Sequence, residues 1–247
     1  MNDQMSNAER ETGYLTSDEM QALREVSTAS LTTQLLKRGL QNTFIQGVQA
    51  LRPDLRMVGY ALTLRYIPAR EDLDRSTDYD NTTNPQRVAV EMVGPEDVLV
   101  IDARGDLSAA SLGHILMTRI AMRGAAGVVS DGAFRDSPSI SQVELPTYSG
   151  GMNGTTSFVS HHPADINLPI GCGGVAVFPG DVIVGDAEGV VVIPRYLAAE
   201  VARDTREQDR FETWALAKVE AGASIRSVYP PDDATRAEYE TWRATQG

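Results

Sequence analysis

Arg135 and Asp136 place a planar, permanently charged guanidinium directly beside a carboxylate, immediately after the apolar run GAAGVVSDGAF from Gly124 to Phe134. The run reads as a strand closed by a glycine turn, so the pair stands at a strand end. An arginine fork grips a substrate carboxylate through two parallel hydrogen bonds, and an aspartate oxygen suits a hard divalent cation. Taken alone, an Arg-Asp dipeptide is most often a surface loop. The segments around it therefore decide its meaning.

Pro95 to Asp102 (PEDVLVID) reads as a buried strand, Ser111 to Arg123 as a helix, and Gly127 to Ser130 as the next strand. Such a unit makes a right-handed crossover between parallel strands. Their carboxyl ends, Asp102 to Gly105 and Asp131 to Asp136, then open on one sheet edge, where ligands of such sheets bind. The helix start at Gly113, His114, Ile115 and Leu116 offers unpaired N–H groups to an anion at that edge. Arg135, Asp136 and the helix start are expected to converge on one carboxylate-binding pocket.

The elements that must hold this pocket are partly legible. Ser17-Asp18-Glu19 has the N-cap and acidic first turn of a helix, and a second helix is predicted from Ser30 to Arg38, stopped by Gly39. Val58, Tyr60, Leu62, Leu64 and Tyr66 alternate with smaller or polar residues, which is strand periodicity, and Pro68 ends it. Residues 70–85 are charged and turn-rich, which predicts a lid or an oligomer contact. Residues 1–16 are polar without apolar periodicity and are expected to form a flexible arm, ordered against a neighbouring subunit. The organisation expected is one α/β domain over 30–222, an arm and helix over 1–29 before it, and a tail over 223–247.

A formal net charge of −12 leaves no basic stripe to release counterions from a phosphate backbone. Nucleic acid is therefore not an expected partner, although a basic protein is compatible with this charge. The single cysteine, Cys172, cannot build a disulfide framework, and neither a signal-peptide apolar region nor a membrane-length apolar run is visible. A cytoplasmic protein without a membrane partner is expected.

The run GDLSAASLGHILMTRIAMRGAAGVVSDGAFRD, from Gly105 to Asp136, resembles the core signature of the RraA-like proteins. Further matches are MVGYALTLRY at the first strand, PGDVIVGDAEGVVVIP from Pro179 to Pro194, and a charged carboxy-terminal helix ending near Ala221-Gly222. That family includes class II pyruvate aldolases acting on 4-hydroxy-4-methyl-2-oxoglutarate and 4-carboxy-4-hydroxy-2-oxoadipate, and also a non-catalytic regulator of ribonuclease E. The resemblance implies a layered β/β/α, swivelling-domain-like α/β fold with a mixed sheet, an extended N-terminal arm and a C-terminal helix. It also implies a homotrimer or a dimer of trimers, with sites between subunits.

For the site, the resemblance implies that Arg135 binds the carboxylate and carbonyl of a pyruvyl unit and that Asp136 ligates Mg²⁺ or Mn²⁺. Gly113, His114 and the amides of Ile115 and Leu116 would hold the substrate carboxylate. Where the aldolases carry an acid after the glycine, this chain has His114, which adds no negative charge. The remaining acid of the metal shell would come from an adjacent subunit's helix, with Glu212 the best match and Glu207 and Asp209 as substitutes. The implied function is a divalent-metal-dependent lyase that cleaves a C–C bond of a 2-oxo acid to release pyruvate, oxaloacetate decarboxylation included. The alternatives are an acidic regulatory binding protein, or a different reaction on a 2-oxo or sugar-derived acid using His114.

Other polar residues read as structural. His161 and His162 are adjacent on a strand, so at most one can point into a site, and loop or packing roles are expected. Asp181, Asp186 and Glu188 sit at turns, where short acids bond backbone N–H groups. Cys172, in GCGG, has no base beside it in the sequence.

Overall fold

Thr16, rather than Ser17, caps the first helix, α1 (Ser17–Glu25), in a capping box with Glu19. The computed structural model describes residues 14–75 and 80–245, so most of the expected arm lies outside the described residues. Helix α2 (Thr28–Lys37) begins two residues earlier than its predicted start, because the Ser27 side chain accepts the Ser30 N–H. Gly39 follows it with a left-handed φ of 82°, the conformation that ends helices at glycine.

Among the described residues, nine strands form one mixed sheet. They are β1 (Gln49–Ala50), β2 (Met57–Pro68), β3 (Asp97–Asp102), β4 (Ala110–Leu112), β5 (Gly127–Phe134), β6 (Thr147–Met152), β7 (His161–Ile166), β10 (Val182–Gly185) and β11 (Val190–Ile193). The path runs β1-β6-β5-β3-β2-β10-β11, with β4 beside β5 and β7 beside β2. The strands β2, β3, β5 and β6 are mutually parallel, while β1, β7, β10 and β11 join antiparallel. The expected parallel pairing of the 97–102 and 127–134 segments is present, Val98 opposite Gly127 and Ile101 opposite Ser130. Between β2 and β3 lies α3 (Pro85–Met92), and α4 (His114–Met122) crosses from β4 to β5.

The layering follows from which side chains each strand buries. Leu62, Leu64, Leu99, Ile101 and Val128 pack against Ala89 and Val90 of α3 and Met117 and Ile120 of α4. Val58, Tyr60, Val182 and Val191 lie under α1, α2 and the long helix α6 (Arg195–Glu220). The opposite face, through Ala61, Val98, Val129 and Ile183, is covered by a two-stranded sheet of β8 (Ile170–Cys172) and β9 (Val175–Val177). The result is the β/β/α layering. Because both faces are covered, β2 is buried continuously from Met57 to Leu64 and its alternation is one of size, not exposure.

Two local readings are corrected. The segment expected to be helical from Ser111 starts its helix at His114, since Ala110–Leu112 forms β4 and the Ser111 hydroxyl bonds Ser130 Oγ and the Ala133 carbonyl, both at 3.0 Å. Gly132 makes no turn. It lies inside β5 at a register shift against β6, and a Cβ there would stand 2.5 Å from Ala103 Cβ, so close packing requires the glycine.

Asp131, next to that bulge, ties the layers together. Its buried carboxylate accepts the N–H groups of Ala103 at 2.7 Å, Gly105 at 3.1 Å and Gly173 at 3.2 Å, linking the end of β3 to the β8–β9 turn. Burial pushes this carboxyl above the usual aspartate range, and the backbone donors oppose that rise. In Asp131→Asn an amide NH₂ must face donors in place of acceptors. We expect urea denaturation to show a loss of about 2 kcal/mol, with no loss meaning that those N–H groups find water.

The segment expected as a tail folds back instead. Helices α7 (Ile225–Val228) and α8 (Asp233–Ala244) pack Tyr239 and Trp242 against Phe211 and Trp214 of α6. No described helix is long and apolar enough to cross a membrane.

Candidate active site

The strand β4 is short, but it fixes the site. It runs parallel beside the end of β5, and the pairing continues one residue further as Arg135 N–H donates to the Leu112 carbonyl at 3.0 Å. This sets Arg135 and Asp136 directly against Gly113, the N-cap of α4. Gly113 has an ordinary extended backbone with φ of −130°, so it is not needed for conformation. It is needed for space, because a Cβ there would lie 2.9 Å from Arg135 Nε and 3.0 Å from Asp136 Oδ2.

Asp136 adopts a left-handed backbone with φ of 60°, a conformation that aspartate tolerates better than most residues but that still costs energy. The kink turns its side chain away from the short helix α5 (Ser137–Ile140) that it precedes and toward α4. There Oδ2 accepts the His114 N–H at 3.2 Å and lies 3.6 Å from Arg135 Nε. The Arg135 and Asp136 side chains are 43% and 49% exposed, so both remain open to a ligand. The terminal nitrogens of Arg135 have no protein partner among the described residues. The amides of Ile115 and Leu116, in the first turn of α4, have no carbonyl one turn earlier to bond.

A cavity of about 170 Å³ collects Arg135, Asp136 and residues Gly113 to Leu116. Its size suits a small acid and is below that of drug-sized ligand sites. The expected convergence of these six residues is thus present in one depression. The sequence reading missed its far wall of Gln86, Arg87, Ser157 and Phe158. Gln86 donates to the Tyr66 hydroxyl at 2.8 Å and the Ser111 carbonyl at 2.7 Å, fixing α3 against β2 and β4. The available signal was Asn84-Pro85, an N-cap followed by a first-turn proline, which starts a helix just where the long loop was expected to end.

The acids of α6 are not in this depression within one chain. Glu212 accepts from Tyr229 Oη and Gln208 Nε2, both at 2.9 Å, Glu207 accepts from Tyr239 Oη at 2.8 Å, and Asp209 accepts the Ser27 N–H at 3.2 Å. Among the described residues no group of three or more His, Cys, Asp or Glu side chains is placed to hold a metal ion. One half-exposed carboxylate is nevertheless compatible with Mg²⁺, which retains several waters and takes one or two carboxylates from protein.

Several other expectations resolve as packing. His161 is buried against Tyr66, its Nε2 3.0 Å from the Ala109 carbonyl, whereas His162 reaches Asp74 in the described part of the 70–85 segment. Both residues border one cavity, but the His161 ring is buried and only the His162 ring is partly exposed there. Asp181 accepts the Phe178 N–H at 2.8 Å, and Asp186 accepts the N–H groups of Glu188 and Thr28, each at 2.9 Å. Glu188 differs from its expected role, since it contributes its N–H and not its carboxylate. The Cys172 thiol is buried, and that burial raises it well above its ordinary range.

Gly113→Ala tests this geometry. The added methyl must displace Arg135 or Asp136 while the backbone accepts alanine without strain. Displacements of an ångström at a reacting centre can cost about a hundredfold in rate. We expect at least a tenfold loss of turnover, about 1.4 kcal/mol in the barrier, with an unchanged melting temperature; full activity would mean that Arg135 and Asp136 work from another position.

Known proteins resemble this chain in sequence and in fold. A relative from Halalkalibacterium halodurans, named putative 4-hydroxy-4-methyl-2-oxoglutarate aldolase, is 45% identical over 103 residues, covering 41% of this chain and 48% of that protein. One of the same name from Ectopseudomonas mendocina is 34% identical over 116 residues, covering 44% of this chain and 67% of that protein. The chain therefore spans about half the length of the first of these relatives. The crystal structure of Streptomyces coelicolor RraAS2, described as an unusual member of the RNase ES inhibitor RraA protein family, superposes with a TM-score of 0.73 at 29% identity, covering 82% of this chain and 98% of that one. An uncharacterized protein from Pseudomonas syringae shares the fold with a TM-score of 0.75 at 23% identity, over 88% of this chain and 99% of that one. A family model described as RraA-like, Aldolase/RraA, matches residues 25–192, a span that holds β1 to β10 and every residue of the Arg135 cavity. The chain belongs to the RraA-like family.

Proposed function

We propose that this protein is a divalent-metal-dependent carbon–carbon lyase that releases pyruvate from a 2-oxo acid. The observation that carries the reading is the Asp136 carboxylate bonded to the α4 N-terminus beside the unengaged fork of Arg135, in a cavity of about 170 Å³. The names borne by the relatives support the same chemistry. An acidic regulator would not require a guanidinium, a carboxylate and a helix N-terminus around one small depression.

Arg135 would hold the substrate carboxylate through its terminal nitrogens, and the first-turn amides of α4 would share that anion. The missing side chain at Gly113 leaves the space that Arg135 Nε and Asp136 Oδ2 occupy at the helix start. As the C–C bond breaks, negative charge spreads onto the 2-oxo oxygen of the pyruvate enolate, and fixed donors aimed at it are the largest expected contribution to rate. Asp136 would hold Mg²⁺ or Mn²⁺ with water completing the shell, and the bound ion would supply Lewis-acid polarisation of the carbonyl. His114 adds an imidazole at the cavity without adding negative charge.

The carboxylate-poor shell is completed in this reading across the interface of a trimer or a dimer of trimers. Ile115 and Met122, 82% and 76% exposed on α4, fit an interface beside the site. For Glu212, Glu207 or Asp209 to take part, each would exchange a hydrogen bond within its own chain. The test is pyruvate release from oxaloacetate or a 4-hydroxy-2-oxo diacid with Mg²⁺ and after EDTA. Release that depends on the added ion is expected, and turnover that survives chelation would refute the reading.

A further inference from the structure

Beyond Gln86 a second cavity, of about 230 Å³, lies between β7 and the described part of the 70–85 segment. Gln86, Ser157 and Phe158 border both cavities, so the two adjoin at these residues. A 2-oxo acid with its carboxylate on Arg135 would have its remaining carbons directed past these three residues. The second cavity is bordered by a pair of side chains that also ties β7 to the 70–75 segment. His162 Nδ1 lies 2.7 Å from Asp74 Oδ1, while Asp74 Oδ2 accepts the Arg70 N–H at 2.8 Å.

The Asp74 carboxylate is only 8% exposed and both its oxygens are bonded, so it is held in place. In the tautomer whose Nδ1–H donates to this carboxylate, the imidazole lone pair lies on Nε2. Nε2 has no partner among the described residues, and the ring is one-third exposed to the cavity. Its neighbour His161 is the opposite case, with Nε2 at the Ala109 carbonyl, Nδ1 3.4 Å from Arg104 and the ring buried. Arg75 and Asp80 are the other charged residues bordering the cavity. A base oriented by a carboxylate, with its second nitrogen open, is the arrangement that general-base catalysis uses.

We propose that this cavity receives the leaving half of a 4-hydroxy-2-oxo acid, and that His162, positioned by Asp74, is the base that removes the proton from the 4-hydroxyl. The assignment rests on the lyase reading above. The proton passes to Nε2, the O–H electron pair forms the new C4 carbonyl, and the C3–C4 bond breaks. Its electrons become the C2–C3 double bond of pyruvate enolate, which later takes a proton at C3. The products are pyruvate and an aldehyde or a second oxo acid, and Asp74 stabilises the imidazolium meanwhile. Decarboxylation of oxaloacetate passes through the same enolate, but its leaving group is carbon dioxide and no hydroxyl loses a proton.

The difference supplies the test. The full chain with Mg²⁺ is assayed on 4-hydroxy-4-methyl-2-oxoglutarate and on oxaloacetate, as wild type, His162→Gln and Asp74→Asn. The ratio of aldol cleavage to decarboxylation is expected to fall about a hundredfold in His162→Gln, the lower end of what a general base contributes. The second reaction controls for folding. For the positioning residue Asp74, long-range ¹H–¹⁵N spectra should show the Nδ1–H form of His162 in wild type and lose it in Asp74→Asn. An unchanged ratio in His162→Gln, or a wild type that decarboxylates oxaloacetate but does not cleave the hydroxy acid, overturns this assignment alone. A wild type that turns over neither substrate overturns it together with the lyase reading.

Discussion

Arg135→Lys is expected to lower kcat/KM for pyruvate release by about a hundredfold, close to 2.7 kcal/mol of transition-state stabilisation. The expectation comes from where the guanidinium sits. Its Nε faces Asp136 Oδ2 at 3.6 Å, the side chain is 43% exposed, and the two terminal nitrogens have no protein partner among the described residues. Two parallel bonds to a carboxylate fix both its position and its plane, whereas an ammonium acts as a point charge and fixes neither. Part of the loss should appear in kcat, because the same fork faces charge that grows during bond cleavage. Steady-state kinetics on oxaloacetate decide it. A lysine enzyme of normal kcat/KM would mean that the substrate carboxylate binds elsewhere.

Asp136→Asn is expected to have a larger effect, at least a thousandfold loss of ion-dependent turnover, about 4 kcal/mol. Asparagine tolerates the left-handed backbone at this position, and its carbonyl oxygen can still accept the His114 N–H that Asp136 Oδ2 accepts now. The fold should therefore persist, and the variant removes the charge alone. Asp136→Ala, by contrast, removes the cap as well, at a further cost in stability of about 1 kcal/mol. Equal activity of wild type and Asp136→Asn would remove Asp136 from the ion's shell. Inactivity of Asp136→Ala with full activity of Asp136→Asn would make this residue a helix cap only.

How far the sequence foretold the site depends on which contacts are local. The strands around Val98–Ile101 and Val128–Val129 are continuous apolar runs separated by one helix length, so their parallel pairing and shared edge were legible. The motif residues Gly113 to Leu116, Arg135 and Asp136 then fall together because β4 pairs with β5. The strand β4 itself was hidden, since three residues carry no period and its partner lies more than twenty positions away. Gly132 read as a turn because glycine after valines usually ends a strand, while the contact that demands it, Ala103 Cβ, belongs to another strand's end. The cover over β2 from Ile170–Cys172 and Val175–Val177, and the wall formed by Gln86 and Arg87, are tertiary placements. Similarly, the bonds that occupy Glu212 depend on α7 bringing Tyr229 back to α6.

Aldol cleavage and oxaloacetate decarboxylation both pass through the enolate of pyruvate, so the central claim can be tested without the natural substrate. Pyruvate is incubated in D₂O with the protein and Mg²⁺, and its methyl resonance is followed by proton NMR. The Arg135–Asp136 site should catalyse loss of that resonance as C3 protons exchange for deuterium, and EDTA or Asp136→Asn should stop it. A methyl signal that persists unchanged with wild-type protein at saturating Mg²⁺ would contradict the assignment of this cavity as a pyruvate-enolate site.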